Sequence, residues 1–144
     1  MSVMPELVST AGAILAGCVD ARTGRIPNVI SRGTAIAAIV AAAHTGDATA
    51  ALWGTVLAGG AVFALYALTF GTGIGLGDVK LAAAIGAGYG AYAATIALGA
   101  AFVLGGAYGA WLLLMRGARR TDAIRFGPFL AAGTVVAAAA ARVL

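Results

Sequence analysis

Two acids stand out in this chain of 144 residues: Asp20 in CVDARTGRIPN and Asp78 in GLGDVKL. Their surroundings are mostly greasy, with 62% hydrophobic and only 10% charged residues. An acid in such a setting is costly unless it has a task or a water-filled pocket, so intramembrane and membrane-edge acids are functional candidates. Two carboxylates that share a site do not both ionise easily, and the pair holds a proton. The ionised member can then activate water while the protonated one polarises a carbonyl, which is the chemistry of amide hydrolysis. Taken separately, either Asp reads as a helix cap.

The residues around these acids sort by the same reasoning. Gly73, Gly75 and Gly77 carry no side chain and let backbone approach Asp78. The run is not a phosphate loop, because it lacks the Gly-Lys-Ser/Thr sequence, and its spacing does not fit the dinucleotide pattern. Lys80 lies two positions beyond Asp78, about 200° round a helix, and is expected to snorkel to lipid headgroups. Pro27 disfavours helix at Ile26, and Asn28 is expected to cap the helix that follows. Arg22 and Arg25 read as anchors or substrate contacts. Pro128 fits the first turn of a last helix, flanked by Gly127 and the apolar anchors Phe126 and Phe129. His44 has no companion ligands and the lone Cys18 reads as a small packing residue, so neither a metal nor a cofactor is expected.

The elements that position these residues are membrane helices. A mean hydropathy of +1.00 is far from the soluble range, where about a quarter of residues are charged. Apolar stretches at 4–19, 28–43, 48–70, 79–92, 93–115 and 124–142 predict an all-α, polytopic bundle of about six transmembrane helices, with residues 1–144 as one domain. The uncharged stretch from Leu81 to Met115 would be about 52 Å long as one helix, too long for a core of about 30 Å. It is expected to fold back near Gly86, Gly88 and Gly90, with Tyr89 and Tyr92 at an interface. Gly86 with Gly90, and Gly105 with Gly109, have the four-residue spacing of close helix contacts. The sequence around Leu15 to Cys18 imitates a lipoprotein cleavage box, but no base precedes it, and the segment reads as a first span.

Alternating loops gather Arg22, Arg25, Arg32, Lys80, Arg116, Arg119, Arg120 and Arg125 on one side and leave Arg142 opposite. That side is predicted to be cytoplasmic, with Asp20 and Asp78 there and both termini outside. The formal charge of +4 is therefore a topology signal, and nucleic-acid binding is not expected.

Three segments together resemble the prepilin peptidase family, the GxGD-type membrane aspartic proteases of peptidase family A24. They are Asp20 with Ile26, Pro27 and Asn28; Gly75, Gly77, Asp78, Lys80 and Leu81; and Ile124 to Leu130 around Pro128. The resemblance implies an aspartic endopeptidase of the inner (plasma) membrane that removes the basic leader of type IV pilin-like precursors at the cytoplasmic face. Asp20 and Asp78 are then the catalytic pair, and Gly75, Gly77, Lys80, Pro27 and Asn28 are substrate-binding candidates. Expected partners are a prepilin-like protein and membrane lipid.

Long bifunctional members carry a further cytoplasmic segment with paired cysteines and methylate the new N-terminus. This chain resembles instead the short form of Flp/Tad-type pilus systems or archaeal preflagellin peptidases, so no N-methylation is expected. Gly127 stands where many relatives have alanine, and either small residue is expected to serve. A small proton-coupled transporter and a noncatalytic pilus-assembly partner are the alternatives.

Overall fold

Breaks in the apolar pattern set the helix boundaries in the computed structural model, which describes residues 3–71, 74–115 and 124–142. Five helices result: α1 (Val3–Thr23), α2 (Asn28–His44), α3 (Ala48–Leu68), α4 (Leu76–Met115) and α5 (Gly127–Ala140). Pro27, at φ −63 and ψ 132, sits at the N-cap position of α2, and Pro128 lies in the first turn of α5. Both prolines stand where a missing N–H is harmless to the helix.

The fold is all-α, as expected, with three helices long and apolar enough to cross a membrane: α1, α3 and α4. α5 is apolar but shorter, and α2 has 17 residues. The 40-residue α4 unites the two stretches expected at 79–92 and 93–115, but its backbone leaves helical geometry at Gly90, with φ 68 and ψ 179. A left-handed φ is open to glycine without a Cβ clash.

Contacts on the two sides of Gly90 show what the break does. Before it, Gly77 packs on Ile26, while Ser9 donates to the Ala84 carbonyl at 2.8 Å and Gly88 lies against Pro5 and Ser9. After it, Ala97 meets Gly133, Gly105 meets Phe126, and Gly109 meets Ile124. The first half thus travels from the loop after α1 towards the start of α1. The second half travels back down α5 to its first turn, which touches Asp20.

Side-chain size sorts the helix faces. On α1 the buried residues are Pro5, Ser9, Ala13, Ala16, Gly17 and Asp20; on α3 they are Ala51, Gly54, Ala58, Gly59 and Val62. Large apolar side chains such as Leu7, Ile14, Trp53, Val56 and Phe63 point outward. Small residues inside let backbones meet, which is how helices pack where lipid removes the hydrophobic drive between them. Where α3 crosses α4, backbone meets backbone from both sides: a Cβ on Gly54 would lie 2.1 Å from the Gly86 carbonyl oxygen, and a Cβ on Gly86 would lie 2.1 Å from that of Gly54.

Two expectations about individual residues fail here. Tyr89 is fully buried rather than interfacial; its hydroxyl is 2.5 Å from Thr10 Oγ1 and donates to the Thr134 carbonyl at 3.1 Å, tying α1, α4 and α5 together. A buried phenol is tolerable when its O–H is partnered in this way. Cys18 is exposed, not packed, because it follows Gly17 round the helix and away from the buried stripe. Tyr92, by contrast, is exposed.

Candidate active site

Asp20 and Asp78 come to the same end of the bundle from helices far apart in sequence. Their relative exposures are 5% and 9%, so both carboxylates are largely withdrawn from solvent. Each takes a backbone hydrogen bond on Oδ2. For Asp78 the donor is Gly75 N–H at 3.0 Å; for Asp20 it is Gly127 N–H at 3.1 Å.

The Asp78 arrangement is half of a capping box. Gly75 precedes the first residue of α4 and Asp78 is the third, so its side chain reaches back to the Gly75 amide. The Asp78 N–H in turn donates to the Gly75 carbonyl at 3.1 Å. Asp20 does the same office for a different helix: Phe126 supplies no side-chain cap to α5, and the Asp20 carboxylate takes the amide at that helix start. The cap reading and the chemical reading are therefore compatible. Among the described residues, Oδ1 of each acid accepts no hydrogen bond from protein.

The surrounding residues divide. Gly77 lies beneath Ile26, and a Cβ there would come within 3.1 Å of Ile26 Cβ, so the loop after α1 rests on the glycine run. Gly75 is exposed, and a Cβ on it would make only an ordinary 3.5 Å contact with Asp78 Oδ2. Gly73, Arg116, Arg119 and Arg120 lie outside the described residues. Pro27 and Asn28 are exposed at the start of α2.

Asn28 does not cap its helix. It is the first helical residue, behind Pro27, and its Oδ1 accepts a hydrogen bond from Lys80 Nζ at 2.6 Å. That pairing corrects the lipid-snorkelling expectation for Lys80 as well: the ammonium bridges the starts of α2 and α4. Two further contacts were not legible in sequence. Arg125 donates to the Ala21 carbonyl at the end of α1. The space at Gly127 is already filled, since a Cβ would lie 2.7 Å from Asp20 Oδ2, 2.9 Å from its Cβ and 3.0 Å from its Cγ. Alanine is not an equivalent residue at this position, contrary to the expectation drawn from its small size.

No group of three or more His, Cys, Asp or Glu side chains that could hold a metal ion occurs among the described residues. His44 is exposed in the last turn of α2.

A family model, that of the type IV leader peptidase family, matches residues 7–110, which include both acids. The chain belongs to the type IV leader peptidase family. Membership supports aspartic endopeptidase activity on prepilin leaders, and it favours this over proton transport as the use of two membrane-edge acids. No curated protein and no solved structure matches the chain. The match ends before α5, so the contact between α5 and Asp20 is information that the family comparison does not carry.

Proposed function

We propose that Asp20 and Asp78 are the catalytic pair of this leader peptidase and that they cleave type IV pilin-like precursors at the cytoplasmic face of the membrane. The observation that carries the proposal is the convergence of two buried carboxylates, each held on Oδ2 by a helix-start amide, at the end of the bundle where the bases gather. With one proton shared between them, the ionised acid takes a proton from water as the oxygen attacks the scissile carbonyl carbon. The protonated acid gives its proton to the carbonyl oxygen. Collapse of the tetrahedral intermediate breaks the C–N bond: the leaving nitrogen takes the proton removed from water, and the other carboxylate takes one back from a gem-diol hydroxyl, which restores the pair.

A precursor with a basic leader ahead of an apolar helix suits this placement. Its helix lies in the bilayer and the scissile bond, locally extended, reaches the membrane edge. The rim formed by Pro27, Asn28, Gly75, Gly77 and Lys80 is the proposed substrate contact. In this reading α1, α2, α3, the two halves of α4 and α5 make six spans, with both termini outside and Arg22, Arg25, Arg32, Lys80 and Arg125 inside. The products are the free leader and a shortened pilin with an unmethylated N-terminus.

The test is processing of a type IV prepilin by purified protein in liposomes. Asp20→Asn and Asp78→Asn should each lower the cleavage rate by about 10²–10⁴-fold. Normal processing by either variant would remove that acid from the mechanism, and binding without cleavage by the unaltered protein would favour a noncatalytic assembly partner.

A further inference from the structure

The segment leading into α5 is seated on the C-terminal end of α1 by contacts that converge on Asp20. Arg125 donates to the Ala21 carbonyl. One helical turn back from Asp20, Gly17 lets α5 approach so closely that a Cβ there would lie 2.9 Å from Ala131 Cβ, 3.1 Å from the Gly127 carbonyl oxygen and 3.3 Å from Pro128 Cα. Gly17 and Asp20 share the buried face of α1, so the close approach at one delivers the Gly127 amide to the other. From the other side, Phe126 packs on Phe102 of α4 with ring centroids 5.0 Å apart, and Phe129 packs on Tyr108 at 5.5 Å.

We propose that Gly127 is a positioning residue for the peptidase reaction: its amide fixes Oδ2 of Asp20, and its lack of a Cβ leaves room for that carboxylate to keep its place. The inference rests on the catalytic reading of Asp20. A reacting group displaced by a fraction of an ångström loses rate without losing binding, so the glycine acts on turnover through the acid. Among the described residues, the other charged groups at this end are Asp78 and Lys80 of α4, Arg125 ahead of α5, the exposed Arg32 of α2, and Arg22 and Arg25 near Asp20 in its own segment.

The unaltered protein supplies the first test. In ¹⁵N-labelled protein in detergent micelles, the Gly127 amide should be protected from hydrogen exchange by its bond to Asp20, and Asp20→Ala should remove that protection. A silent Gly127 amide, one that exchanges equally fast in the unaltered protein and in Asp20→Ala, would overturn the proposal. In prepilin processing, Gly127→Ala should lower kcat about 10–100-fold with KM unchanged and displace the pH–rate profile. Gly17→Ala, which holds α5 away without touching Asp20, should displace the profile in the same sense.

Gly59→Ala is the packing control away from α5, since its Cβ would lie 2.9 Å from Ala83 Cβ, as close as that of Gly17 to Ala131; it should leave the profile in place. Gly127→Ala with a wild-type pH profile would reduce the glycine to a packing residue. Normal cleavage by Asp20→Asn defeats the catalytic reading itself, an outcome distinct from a silent Gly127 amide.

Discussion

A carboxylate pair that must hold one proton to work has two pH limits. Below the lower one both acids are protonated and no base remains; above the upper one both are ionised and no acid remains. The rate of prepilin cleavage against pH should therefore be bell-shaped, with limits that belong to the pair, and a rate that climbs to a plateau at high pH would mean a single base. Asn28 and Lys80 affect a different quantity. Asn28→Ala or Lys80→Ala should raise KM for prepilin with little change in kcat, because the pair bridges α2 and α4 at the rim rather than touching the acids. The two acids were legible in sequence because charge is rare in this chain and each sits in a distinctive segment. Their partners were not: the amide of Gly127 has no side-chain signature, and the Asn28 side chain was free to face Lys80 only because Pro27 took the cap position.

At the scale of elements, glycines control how closely helices meet, and they do not act alike. Gly54 and Gly60 both lie in α3, yet a Cβ on Gly54 would run into the Gly86 carbonyl while Gly60 has open space around it. Gly54→Ala should destabilise the protein by about 1–3 kcal/mol through overpacking. Gly60→Ala should be neutral or stabilising by about 0.5–1 kcal/mol through helix propensity. Thermal unfolding in one detergent measures both, and equal effects would contradict the crossing described for α3 and α4. The reversal in α4 was foreseen from length alone, since an uncharged run too long for a bilayer has to bend. It falls at Gly90, while Gly86 and Gly88 stay within the helix against Gly54 and against Pro5 and Ser9.

Across the whole molecule, hydropathy does not separate inside from outside: Leu81, Ile85 and Leu130 are buried while Leu7, Trp53 and Phe63 are exposed. Helices that are apolar all round offer no polar face to read, which is why sequence could announce spans but not say that Tyr89 is buried and Cys18 exposed. Small residues predominate inside, and the exposed Leu, Val, Phe and Trp suit a multi-pass membrane protein. The proposed topology is open to labelling in a Cys18→Ala background. Thr23→Cys should react with an impermeant thiol reagent only from the cytoplasmic side and His44→Cys only from the outer side; the reverse pattern would turn the site to the wrong face.

The central claim is that Asp20 and Asp78 act as one unit, and a double-mutant cycle on prepilin cleavage in liposomes tests it most directly. If they share the proton and the water, Asp20→Asn, Asp78→Asn and the double variant should all fall to the same residual rate, as groups of one catalytic unit do. Near-normal cleavage by either single variant, or losses that multiply in the double variant, would contradict it.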